Sequence, residues 1–292
     1  MQFLITGNTS DPDKATRMAS LVMSLQRRGI AHSIEPDFAG FLHDKAGLPI
    51  DPALLTTDDT PADAIAMSIG GDGTFLRTAR MATARHIPVI GVNMGRMGFL
   101  TDIEPATFEQ ATADIAAGGY HIEERAQLEL SVDGPDGPRR ATALNDIAVM
   151  KMDISAMVTI EVMVNGQFLS NYQCDGLILA TSTGSTAYSL SVGGPIIMPQ
   201  SMSMVLTPVA PHNLSLRPIV MPGGWTVQMA VKSRNRQFLV SVDGESMACD
   251  ESDRLTIAKA KEAVRIVKLD SHPLFENLRS KLMLGVDGRT CR

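Results

Sequence analysis

Two short segments carry the residue types that chemistry needs. The first, Gly70-Gly71-Asp72-Gly73-Thr74, follows an apolar run at 64–69 and precedes a helical pattern. Glycines allow unusual φ/ψ and close backbone approach, so successive N–H groups and the N-terminus of the following helix can cradle phosphate oxygens. Gly70, Gly71, Gly73 and Thr74 make that loop, and Arg77, Arg80 and Arg85 follow on one helix, where Arg77 is the candidate to reach phosphate and plain solvated charges are the alternative. Asp72 would repel phosphate unless it takes a proton from a nucleophile or helps hold a metal ion. The competing reading is a tight strand-to-helix turn with Asp72 as N-cap. No Walker A loop exists in the chain, and Leu76 stands where G-x-G-x-x-G would need its third glycine.

The second segment opens at Asp175. From 176 to 216 the chain runs 41 residues without an Asp, Glu, Lys or Arg, and includes Thr183, Gly184, Ser185, Thr186, Ala187, Tyr188, Ser189, Leu190 and Ser191. A polar but uncharged stretch suits a crevice that reads a base, a carboxamide and ribose hydroxyls through neutral hydrogen bonds, with Tyr188 offering a ring face. A Ser/Thr-rich surface loop is the plainer alternative, disfavoured because Gly193-Gly194-Pro195-Ile196-Ile197 continues apolar. Asn145-Asp146 interrupts a strand pattern; an amide beside a carboxylate suits a ribose diol, and an exposed polar pair is the alternative. Gly91, Gly95 and Gly98 mark another loop after a strand, either ligand-facing or an irregular connection. Of six Asp-Gly pairs, Asp133-Gly134 and Asp136-Gly137 read as solvated turns, whereas Asp243-Gly244 ends an apolar run. There is no G-x-S-x-G, no H-E-x-x-H and no His/Cys cluster, and His212 reads as structural.

The elements that must position these residues change character along the chain. A strand at 1–6, a helix from Asp11 capped by Ser10 and stopped by Gly29, strands at 30–35 and 64–69, a helix over 74–85 and a strand at 87–92 give a β-α-β rhythm. That rhythm implies a mainly parallel sheet covered by helices. After a helix at 105–117, alternating runs at 128–132 and 158–164, the Asn165-Gly166 hairpin signal, and runs at 204–206, 238–242, 255–257 and 264–269 predict a β-rich C-terminal domain. The expected division is 1–102, 103–270 and a closing amphipathic helix in the tail 271–292.

Composition limits the partners. With 32 Asp+Glu against 26 Lys+Arg the net charge is −6, which excludes bulk electrostatic capture of nucleic acid. No window approaches a membrane span. Cys174, Cys249 and Cys291 form neither a disulfide framework nor a metal motif, so a reducing, cytoplasmic setting is expected.

Taken together, Gly70 to Thr74, 91–102, Asn145-Asp146, 175–195, 211–218 and Leu278-Arg279-Ser280-Lys281-Leu282 make the chain resemble the NAD kinase family. The resemblance implies an α/β N-terminal domain, a β-rich C-terminal domain, a nucleotide site between them and a tail returning to the first. It places the active-site aspartate at Asp72, with Gly73 beside it in the NAD site. Ribose and base contacts fall on Asn145 and Asp146, the nicotinamide amide on Asp175, and the adenine end on Thr183 and on Thr186, Ala187, Tyr188, Ser189, Leu190 and Ser191. It implies ATP, or polyphosphate, as phosphoryl donor, a divalent metal (Mg²⁺) held through substrate phosphates, and a homodimer or homotetramer. The chain departs from the family pattern at Asp146, where Glu is usual, at Ser182 for Pro and at Gln173 for Arg. A lipid kinase of the diacylglycerol type, sharing only the first glycine loop, and a catalytically lapsed NAD(P) sensor are the rival readings.

Overall fold

A computed structural model describes residues 1–57, 61–95, 98–135, 137–153, 156–269, 278–279 and 281–282. In chain order the first elements are β1 (Gln2–Gly7), α1 (Ala15–Arg27), β2 (His32–Ile34), α2 (Pro36–Ala46), β3 (Ala64–Gly70), α3 (Asp72–Ala84), β4 (Val89–Asn93), α4 (Phe108–Ala116) and β5 (Tyr120–Arg125). A long β region follows, with β6 (Leu128–Asp133), β7 (Arg139–Ala143), β8 (Asp146–Lys151), β9 (Val158–Val164), β10 (Gln167–Cys174) and β11 (Gly176–Thr181). After the short helix α5 (Tyr188–Ser191) come β12 (Ser203–Val209), β13 (Ile219–Pro222), β14 (Val227–Lys232), β15 (Gln237–Val242), β16 (Glu245–Asp250), β17 (Arg254–Lys259) and β18 (Val264–Leu269).

The chain divides into two compact units. One contains Met1–Glu124 together with β18 and the described tail residues; the other is Arg125–Ala263. The first boundary therefore lies past residue 102, and the second falls before β18 rather than after it. Packing explains both shifts. Phe108, Ala111 and Ile115 of α4 and Val267 and Leu269 of β18 share one core with Phe3, Ile5, Met18, Val22 and Ile90.

In the first unit the sheet order is β2-β1-β3-β4-β18-β5. β1 runs parallel to β2 and β3, and β4 runs parallel to β3 and β18. β3 is buried along its whole length, as a strand covered on both faces should be. α1 buries Ala15, Met18, Val22 and Leu25, and Gly29 follows at φ +65°, the left-handed conformation that ends a helix cheaply for glycine alone. Ser10 does not cap this helix. A 3-10 turn at Pro12–Lys14 leads into it, with Asp11 before that turn, and the Ser10 amide instead donates to Asn8 Oδ1. The helix expected over 105–117 is confined to α4, because Thr107 N–H and Oγ1 both bond Glu104 O and hold 104–107 as a turn.

The second unit is a sandwich of two antiparallel sheets, ordered β10-β9-β14-β17-β6-β7 and β13-β12-β11-β8-β15-β16. Leu130, Ile160, Val162 and Ile257 from one sheet and Val149, Leu179, Leu206 and Val240 from the other fill one shared core. β11 is buried on both faces. Leu177 and Leu179 enter that core, while Ile178 and Ala180 pack on the far side against Ile197 and Val205. The uncharged stretch therefore stays apolar beyond residue 191 because it folds back over its own strand.

Candidate functional site

In the first unit, the strand β3 delivers Gly70 directly to α3. Gly71 is the N-cap and Asp72 the first helical residue, so the helix begins two residues before the expected 74 and Asp72 is not its cap. No side chain caps this helix. The N–H groups of Asp72, Gly73 and Thr74 thus stand at a free helix N-terminus, the arrangement that binds anions. The glycines serve by size rather than by conformation: none of Gly70, Gly71 and Gly73 has positive φ. An added Cβ at Gly70 would strike the Thr74 side chain, whereas one at Gly71 or Gly73 would meet no protein atom within 4 Å. Packing therefore accounts for glycine at 70 but not at 71 and 73, where the space beside the backbone is open.

Asp72 turns its carboxylate away from its own helix toward the loop after β4. Phe99 N–H donates to Oδ2 at 2.8 Å and Leu100 N–H to Oδ1 at 3.2 Å. Gly98 is needed beside it, since a Cβ there would lie 2.7 Å from Asp72 Oδ1 and 2.5 Å from Thr101 Oγ1. Arg96 and Met97 of this loop lie outside the described residues. Arg77 donates from Nη2 to Gly7 O at 2.6 Å and lies 3.8 Å from Glu35 Oε2, which holds its guanidinium at the end of β1.

In the second unit, Asn145 and Asp146 sit at the start of β8, both buried. The carboxylate of Asp243 accepts three consecutive backbone N–H groups, from Leu144 at 2.7 Å, Asn145 at 2.8 Å and Asp146 at 3.1 Å. Asp243 itself has φ +49° and precedes Gly244 at φ +88°, the two-residue turn joining β15 to β16. On the other side, Thr181 Oγ1 donates to Leu144 O at 2.6 Å and accepts from Gly184 N–H at 3.0 Å. Asn145 Oδ1 is buried with no hydrogen-bond partner. Such an orphaned acceptor beside a fixed carboxylate fits a ligand donor.

Burial, then the nearby Asp243 carboxylate, raises the Asp146 pKa from the ordinary 3.8 to about 7, against a lowering hydrogen bond from the Tyr188 backbone. Between these values the folded chain holds a proton that the unfolded chain has released. The resulting stability is complete below pH 3.8, declines as pH rises and is gone once the folded pKa is passed. Thermal melting should accordingly fall more steeply between about pH 5 and 8 in the wild type than in Asp146→Asn. Parallel melting curves for the two proteins would contradict this assignment.

The remaining expected contacts are placed unevenly. Thr183 is buried and accepts from Arg125 Nη1 at 3.4 Å. Asp175 pairs with Lys151 Nζ at 2.7 Å, a partner not foreseen from sequence. The segment after Thr183 forms a 3-10 turn, Gly184–Thr186, and then α5. Tyr188 is 40% exposed and free to stack, while Ser189 is fully buried with its hydroxyl 2.8 Å from Thr207 Oγ1. Ser189 thus holds the turn from within. In the sequence Asp243 stands out only as the Asp-Gly that ends an apolar run, because its three bonds depend on β15 lying beside β8.

Among the described residues no three His, Cys, Asp or Glu side chains converge as a metal cage. Asp72, already accepting two N–H groups, offers one carboxylate at most. A hard cation such as Mg²⁺ fits this surrounding only if substrate phosphates supply most of its oxygens, which is its usual mode of binding. No helix among the described residues is long and apolar enough to cross a membrane.

Both units have counterparts among known proteins. A family model described as the ATP-NAD kinase N-terminal domain matches residues 6–120, and one described as the ATP-NAD kinase C-terminal domain matches 144–269. The chain is 43% identical over 289 residues to the NAD kinase of Bacteroides fragilis, covering 99% of this chain and 100% of that one. It is 38% identical over 285 residues to the NAD kinase of Porphyromonas gingivalis, covering 96% and 97%. Its fold is similar to yeast NADH kinase complexed with NADH, with a TM-score of 0.86 at 24% identity over 100% of this chain and 90% of that one. An Archaeoglobus fulgidus NAD kinase in complex with ATP gives a TM-score of 0.69 at 24% identity over 97% and 99%.

Proposed function

The chain belongs to the NAD kinase family, and from that premise we propose that it transfers the terminal phosphoryl group of ATP to the 2′-hydroxyl of the adenosine ribose of NAD, giving NADP. The observation that carries the chemistry is Asp72, a carboxylate fixed by two backbone N–H groups beside an uncapped helix N-terminus. Asp72 accepts the hydroxyl proton as the new O–P bond forms and the bond from the γ-phosphorus to its bridging oxygen breaks, releasing ADP, while the N–H groups of Asp72, Gly73 and Thr74 hold donor phosphate oxygens. Bound Mg²⁺ would neutralise phosphate charge in such a transfer. Asn145 and Asp146 take the ribose and base, Asp175 the carboxamide, and Thr183, Thr186, Ala187, Tyr188, Leu190 and Ser191 the adenine end. Positioning supplies most of the rate.

Incubating the purified protein with Mg-ATP and NAD, with NADP read by an NADP-specific dehydrogenase, tests this reading. NADP formation is expected; turnover of a diacylglycerol in its place, or NAD binding without turnover, would contradict it. The same assay with polyphosphate and with NADH sets donor and acceptor preference. The free thiols of Cys174 and Cys249 support a reducing, cytoplasmic setting.

Homo-oligomerisation is part of the same proposal. Its support is the edge pair β10 and β13, where Phe168, Leu169, Ile219, Val220 and Trp225 are exposed around one groove. No charge occurs between Glu161 and Asp175 or between Arg217 and Lys232, so two copies of this face meet without like-charge repulsion. Sedimentation should show a dimer or tetramer that Phe168→Lys with Val220→Lys reduces to a monomer. A wild type that sediments as a monomer at micromolar concentration would refute it.

A further inference from the structure

Lys281, in the described part of the tail, lies on the loop that holds Asp72. Its Nζ is 3.5 Å from Thr101 O and 5.6 Å from the centroid of the Phe99 ring, within cation–π range. It thereby touches both the backbone and a side chain of the segment 99–101. Two amides of that segment, Phe99 N–H and Leu100 N–H, are the groups that grip the Asp72 carboxylate. The next residue, Asp102, is fixed from the other direction by Lys268 of β18, at 2.5 Å. The segment is thus held at both ends by lysines from distant parts of the chain.

Charge favours the same arrangement. Lys281 is half-buried, and burial lowers its pKa, while the carboxylates of Asp102, Asp72 and Glu104 oppose that shift and Lys268 adds to it. The three carboxylates thus offset part, but not all, of what burial costs this ammonium.

We propose that Lys281 is a positioning residue for Asp72, bracing Phe99 and Thr101 so that the Phe99 and Leu100 amides hold the carboxylate in one orientation. The inference rests on Asp72 being the general base proposed above. Lys281 acts on the reaction through Asp72 and not through the NAD contacts, all of which but Asp72 and Gly73 belong to the other unit. Its removal should therefore show in kcat and leave NAD affinity in place.

A double-mutant cycle tests it. Lys281→Met keeps the apolar stem and removes the cation; kcat should fall by roughly 3–10-fold with KM for NAD within about twofold, on the scale of a lost cation–π contact. Lys281→Arg, which keeps charge and stacks on the ring, should recover most of that loss. In an Asp72→Asn background, Lys281→Met should have no further effect, because the brace then has nothing to orient. Should Lys281→Met fold poorly, Phe99→Leu removes the same ring contact and should give the same kcat-selective, Asp72-dependent loss. Wild-type kcat in Lys281→Met, a loss that persists undiminished in the Asp72→Asn background, or no recovery by Lys281→Arg would each overturn the proposal. Wild-type kcat in Asp72→Asn alone would overturn the general-base reading and this inference with it, and that result is separate from any outcome with Lys281.

Discussion

Asp72→Asn is expected to lower kcat by roughly 10²–10⁴ while NAD binding is largely kept, the scale of a lost general base. Asparagine is nearly isosteric, so its amide oxygen still accepts one of the two N–H groups from Phe99 and Leu100. The NAD contacts proposed for Asn145, Asp146 and Asp175 are untouched, and calorimetric titration should return an affinity within a few-fold of the wild type. The variant separates chemistry from binding for that reason. A near-normal kcat would mean that the acceptor hydroxyl loses its proton elsewhere.

Asp243→Ala should have the next largest effect, on stability and NAD affinity together. It leaves the N–H groups of Leu144, Asn145 and Asp146 without their acceptor. A buried unsatisfied donor costs about 1–3 kcal/mol, and partial exposure lets water replace some of the three bonds, so a loss of roughly 2–4 kcal/mol is expected. Alanine also tolerates the φ of +49° less well than aspartate does. Thermal melting should fall by several degrees, and KM for NAD should rise at least about tenfold as Asn145 and Asp146 lose their register, with kcat changing less. Asp243→Asn, which accepts the left-handed conformation, should lie between the two. Wild-type melting and KM in Asp243→Ala would show that these bonds neither stabilise the strand start nor orient the pair.

Much of the architecture could be read from local pattern. Alternation over 128–132 and 158–164 marked strands, and Asn165-Gly166 marked a hairpin whose two residues have φ of +49° and +75°. The glycine loop and the uncharged stretch stood out by composition, and their order in the chain carried the family resemblance. α2 did not stand out, although Pro36 opens it and Gly47 closes it at φ +67°. Its buried Phe38, Ala39 and Leu42 are spaced around Gly40 and a polar Asp-Lys end, which blurs the helical period. The strand at 264–269 was recognised, but its pairing with β4 in the first unit was not, because parallel pairing across that distance leaves no local signal. The same holds within the sites. Asp72 and Tyr188 announce themselves by motif, and Lys281 lies in the closing motif without its contact to the 99–101 loop being legible there, whereas Asp243 and Lys151 matter only through residues far away in sequence.

Phosphoryl transfer to a single hydroxyl of NAD can be read from the product itself. The most direct measurement incubates the purified protein with Mg²⁺, γ-labelled ATP and NAD, isolates the dinucleotide product and locates the label by phosphorus NMR. One labelled monophosphate is expected, on the 2′-hydroxyl of the adenosine ribose. Label on the 3′-hydroxyl or the nicotinamide ribose, or an unlabelled dinucleotide, would contradict it.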